Sequence, residues 1–147
     1  MSIKISGALR DSLLVTGSLR SAINGFYIRI YNGTPPTLPE DALSGNTLLC
    51  TITNNGTATG LTFESSVTDG MLLKTGSEVW SGTCVADGTA TFYRLVSSSD
   101  TGASSSSAVR VQGTVGVAGA DLNVTSTSFV TDDEKRVDFY AIGMLTS

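Results

Sequence analysis

The sequence predicts an all-β protein, an antiparallel β-sandwich that is jelly-roll-like, with about nine strands and a short N-terminal helical segment or arm. Three observations lead there. From Phe26 onward apolar residues recur with period two. Sixteen glycines and abundant Ser and Thr supply the chain reversals an antiparallel sheet needs. Runs suited to parallel βαβ units are missing.

Along the chain, residues 8–24 carry Leu9 and Leu13, then Leu19 and Ile23 after a Gly17-Ser18 break, at helical spacing. They predict one or two short helices, or an arm that orders only against a partner. Asn24-Gly25 stops this segment, so residues 1–25 form the helical segment and 26–147 the β-sandwich domain. Phe26, Ile28 and Ile30 then share one face, with Tyr27, Arg29 and Tyr31 on the other. Further strands are predicted over 47–53, 61–64, 71–74, 78–85, 89–97, 108–115, 122–129 and 136–145. Asp87-Gly88, set between two strand-like runs, predicts a hairpin with a type I′ turn. Trp80, Gly82 and Cys84 share a face, as do Leu48, Cys50 and Ile52, which favours core burial for all six.

Two connections are long. Residues 33–46 contain Pro35, Pro36 and Pro39 and predict a semi-rigid, shaped contact, while the Ser-rich run 97–107 predicts a mobile tip. Two solvated crossovers are as good a reading of either.

Composition narrows the function. The single-domain length supports one core, and 40% of residues are apolar while only 15% are charged, against about 25% in ordinary domains. A surface so weakly charged suits a protein that lives assembled. The net charge of −4 and singly scattered basic residues leave no footprint for nucleic acid. The N-terminal residues lack the apolar core of an export signal, and no run approaches the ~20 apolar residues of a membrane span, so neither export nor membrane anchoring is expected. Asn32-Gly33-Thr34, Asn55-Gly56-Thr57 and Asn123-Val124-Thr125 then read as turn and strand chemistry rather than glycosylation acceptors. Cys50 and Cys84 are expected to be buried free thiols rather than a disulfide.

No enzyme is expected. The chain has no histidine, which removes the commonest general base and metal ligand, and no lysine lies in a Ser-x-x-Lys pattern. A glycosidase-like carboxylate pair finds no support in spacing. Asp132-Asp133-Glu134 with Asp121 lacks EF-hand spacing and reads as a solvated acidic turn. No cofactor or metal is called for.

One set of blocks is distinctive: Ile28-Arg29-Ile30-Tyr31-Asn32-Gly33-Thr34-Pro35-Pro36, Thr47-Leu48-Leu49-Cys50-Thr51-Ile52, Glu78-Val79-Trp80-Ser81-Gly82-Thr83, Val111-Gln112-Gly113-Thr114-Val115, and Gly119-Ala120-Asp121-Leu122-Asn123. In this order they resemble a family of small tailed-bacteriophage proteins found among virion structural proteins. The resemblance implies a capsid decoration or cement protein that binds the major capsid protein, forms a homotrimer, and sits on the capsid exterior after a period in the host cytoplasm. Contacts to a partner are expected from Leu9, Leu13 and Leu14 in the helical segment and from Pro35, Pro36 and Leu38 in the Pro-rich loop. The alternatives are a tail or baseplate adaptor or fibre-associated protein, and a carbohydrate-binding module stacking sugar on Trp80 or Tyr93.

Overall fold

The computed structural model describes residues 3–143. Its centre is a wide sheet in the order β1 (Lys4–Ile5), β8 (Arg110–Gly116), β7 (Phe92–Val96), β2 (Tyr27–Tyr31), β3 (Leu48–Asn54), β5 (Trp80–Thr83) and β11 (Glu134–Val137). Every pairing along this path is antiparallel, and β9 (Leu122–Asn123) joins β8 in parallel. Two small antiparallel ribbons accompany it, β6 (Gly88–Thr89) with β10 (Ser128–Phe129), and β4 (Met71–Leu73) with β12 (Ala141–Gly143). This is the all-β antiparallel class with a short helical segment that the sequence predicts; the pairing does not establish the jelly-roll arrangement. The 61–64 run is present only as isolated bridges at Leu61 and Phe63, and the end of the 136–145 run lies outside the described residues.

Strand alternation sorts the two faces. The rung Ile5, Val111, Leu95, Ile28, Ile52 lies on the apolar side, and the next rung, Lys4, Gln112, Arg94, Arg29, Thr51, on the other. The apolar side joins an aromatic core. Tyr93 and Tyr140 meet hydroxyl to hydroxyl at 2.8 Å, and the Phe63 and Trp80 rings pack edge to face at 5.3 Å. Trp80 and Tyr93 are thus core residues, as alternation indicates, and are not available to stack on sugar.

The helical segment is not a free arm. Helix α1 (Gly7–Val15) starts at Ser6, whose hydroxyl accepts from the Leu9 N–H at 3.2 Å, and α2 (Leu19–Ile23) starts at Ser18, which caps Ser21 in the same way at 3.1 Å. Ser6 also exchanges bonds with Arg110, its N–H donating to the Arg110 carbonyl at 2.9 Å and its Oγ accepting from the Arg110 N–H at 3.0 Å. Leu9 and Ile23 are buried in the chain's own core. The predicted partner contact at Leu9 is therefore corrected: an amphipathic face at helical spacing was satisfied internally.

The Asp87-Gly88 hairpin is also corrected, because β5 lies between β3 and β11 while β7 lies between β2 and β8. Neither residue has positive φ. Asp87 instead accepts from the Thr131 N–H at 2.7 Å and Oγ1 at 2.8 Å, and Gly88 pairs with Phe129 where a side chain would press on Leu49. The type I′ signature falls at Asn55-Gly56, with φ of 57° and 68°, and at Asp69-Gly70, with 51° and 77°. In both, the residue after glycine donates back across the turn, Thr57 to Asn54 at 3.2 Å and Met71 to Thr68 at 2.9 Å.

Candidate functional site

The second face of the sheet holds the most unusual chemistry in the molecule. Strand β7 is buried on both sides because residues 33–46 and 97–107 lie across that face. Two arginines under these loops, Arg94 and Arg110, retain 1% and 2% of their exposure. A buried guanidinium is costly unless its donors are used, and here they hold loop backbone. Arg110 donates to the Pro39 carbonyl at 2.9 Å and to the Ala103 carbonyl at 2.7 Å, and forks onto both carboxylate oxygens of Asp100 at 2.7 and 3.0 Å. One side chain thereby ties together both long loops and the sheet.

Arg94 reaches the Asp41 carbonyl at 2.9 Å and the Gln112 side-chain oxygen at 2.9 Å, and Gln112 passes its amide on to the Pro36 carbonyl at 2.8 Å. Among the described residues the Arg94 Nη1 has no hydrogen-bond partner. At the rim, Lys4 Nζ donates to the Thr37 carbonyl at 2.7 Å, and Arg29 donates to the carbonyls of Asp100 and of Ser98, the latter at 3.0 Å. The loops also bond each other, Leu43 N–H to Gly102 at 2.9 Å and Ser105 N–H to Glu40 at 3.0 Å. Tyr31 stacks on Phe92 at 5.3 Å and closes the apolar end of this layer.

The electrostatics follow the packing. Burial works to raise the Asp100 carboxyl, but the hydrogen bonds from Arg110 and the Gly102 N–H, with the charges of Arg110 and Arg29, outweigh it and hold it below the ordinary carboxylate range. Burial and the adjacent Arg110 charge lower Arg94, and burial raises the Tyr31 phenol. These groups serve as fixed charges and donors beneath a surface.

What that surface shows is set by the clamp. Pro35 is exposed, Pro36 is half-buried with its carbonyl engaged, and Leu38 stands 52% exposed while the carbonyls of Pro36, Thr37, Pro39 and Asp41 point inward to side chains. In the helical segment Leu13 packs half-buried on the core, whereas Leu14 and Val15 are 77% and 87% exposed. Gly7 at the start of α1 donates to the Glu40 carboxylate at 2.5 Å, linking the helical segment to the Pro-rich loop. The Ser-rich run, expected to be a mobile tip, is tied down through Asp100, Gly102, Ala103 and Ser105.

The two arginines are what a reading of the sequence missed. A signal was present: Arg94 shares its face of β7 with the apolar Phe92 and Val96, so that face had to be covered. Asp121, weighed as a cation ligand with the 132–134 run, is bonded to the Thr114 N–H at 2.9 Å and hydroxyl at 3.1 Å, and Asp132 is a turn residue with φ of 73°. Among the described residues no helix is long and apolar enough to cross a membrane. No family model, no curated protein and no solved structure matches the chain.

Proposed function

We propose that the chain is a non-enzymatic structural protein of a tailed-bacteriophage virion, a decoration protein that binds the major capsid protein on the shell exterior as a homotrimer. The observation that carries this reading is the clamped loop platform. Two long loops would ordinarily lose much conformational freedom on docking, and holding them beforehand by buried arginines removes that cost. The resulting face combines a fixed backbone, few charges and an exposed Leu38 beside Pro35. Many copies on a symmetric shell turn a modest contact of this kind into strong retention.

Shells assembled from the major capsid protein should co-sediment with the wild-type chain, and Leu38→Asp should abolish co-sedimentation while leaving the urea midpoint unchanged. Unaltered retention of Leu38→Asp would remove the platform as the contact.

One feature favours a second reading, a carbohydrate-binding module. Phe139, 64% exposed, borders a cavity of about 450 Å³ together with Asn123, Arg136 and Asp138. Saturable binding of a bacterial surface glycan, lost in Phe139→Ala, would favour that role over capsid docking.

A further inference from the structure

Cys50 in β3 and Cys84, one residue past β5, are free thiols, both buried, facing each other as an antiparallel bridge pair. The backbone bonding shows which kind of pair this is. The Cys84 N–H donates to Asp133 at 2.8 Å and its carbonyl accepts from Asp132 at 2.9 Å, so both its backbone groups turn away from β3. The next residue, Val85, donates to the Leu49 carbonyl at 2.8 Å. Cys50 and Cys84 therefore occupy a non-hydrogen-bonded cross-strand site, where Cα atoms approach to about 4.5 Å, inside the ~4.4–6.8 Å that a disulfide spans. Gly82 sharpens the approach: a side chain there would collide with the Thr51 carbonyl and press on the Cys50 sulfur.

We propose that Cys50 and Cys84 are a disulfide-forming pair, a modification site at which a cross-strand bridge closes when the folded chain meets a low-molecular-weight disulfide oxidant. One cysteine thiolate attacks a sulfur of the oxidant and expels one thiolate from it. The second cysteine thiolate then attacks the mixed disulfide at the protein sulfur and expels the other. The protein loses two protons and two electrons, and the oxidant's S–S bond is reduced to two thiols. Burial pushes the Cys50 thiol up to about 12 and raises Cys84 as well, so the reduced pair stays protonated at neutral pH and reacts only through local opening. The bridge welds β3 to the segment leaving β5, the strand through which β11 joins the sheet. The proposal is independent of the role assigned to the loop platform.

The test equilibrates the purified full chain in glutathione buffers of rising oxidised fraction, quenches with acid, unfolds with N-ethylmaleimide present, and reads the intact mass. Expected is conversion from a species carrying two maleimides to a monomer carrying none and lighter by two hydrogens, with a higher urea midpoint. Cys50→Ser and Cys84→Ser should show no such species and no oxidant-dependent rise in midpoint. Retention of both maleimides in fully oxidised glutathione would overturn the proposal. So would a stable glutathione adduct or a covalent dimer in place of the internal bridge.

Discussion

Replacing Arg110 with alanine removes four hydrogen bonds at once, two to the Asp100 carboxylate and one each to the carbonyls of Pro39 and Ala103. The larger consequence falls on what remains. Asp100, whose side chain is only 4% exposed, would be left with the Gly102 N–H at 2.7 Å but without its ion-pair partner. Removing one member of a buried pair costs about 3–5 kcal/mol, mostly because the other charge stays buried. For a domain of this length about 2–4 °C accompanies each kcal/mol, so Tm should fall by roughly 6–20 °C. Urea unfolding followed by Trp80 fluorescence, with the m-value checked for constancy, measures the loss. A companion variant carrying Arg110→Met and Asp100→Leu together removes both charges and should recover a large part of it. A loss below about 1 kcal/mol for Arg110→Ala, the value of an exposed pair, would refute the clamp, as would a double variant no more stable than the single one.

Other expectations rest on separate features. Asp100 binds its proton less tightly in the folded than in the unfolded chain. Its contribution is therefore complete above the unfolded value of about 4 and is lost as pH falls through the lower folded value; the urea midpoint should drop across that interval, and less steeply in Asp100→Asn. Gly82→Ala would place a methyl group against the Thr51 carbonyl, forcing β3 and β5 apart, so it should cost more than a typical point change, over about 3 kcal/mol, or yield insoluble protein on expression. Leu9→Ala should cost about 2–5 kcal/mol because Leu9 is enclosed by core. Leu14→Ala, five positions along the same helix but facing solvent, should stay within about 0.5 kcal/mol, and the contrast in urea midpoints separates a docked helix from a detached arm.

Much of the β architecture was legible because period-two patterning survives wherever one face of a strand meets a core. Ile28 and Ile30 in β2, Cys50 and Ile52 in β3, and Tyr93 and Leu95 in β7 all face inward as alternation requires. Strand partners were not legible, because pairing is decided by contacts between residues far apart in the chain. Asp87-Gly88 has the composition of a hairpin turn, yet Thr131 and Leu49 decide what those residues do. Asn55-Gly56 and Asp69-Gly70 carry the same local chemistry and do form the turns.

The platform was half visible. Prolines at 35, 36 and 39 marked a shaped loop, and Leu38 is exposed on it. Its anchor was hidden because arginine is ordinarily a surface residue. Only the covering of both faces of β7 turns Arg94 and Arg110 into the fixings of the Pro-rich and Ser-rich loops. The helical segment shows the converse: Leu9 and Ile23 matched a partner-seeking stripe, and the partner is the chain's own core.

The most direct test of the proposed role is cryo-electron microscopy of the intact virion at side-chain resolution. The proposal predicts density for this chain as trimers on the outside of the shell, with Leu38 and residues 33–46 turned toward the major capsid protein. Density confined to the tail, or a particle without the chain, would contradict it.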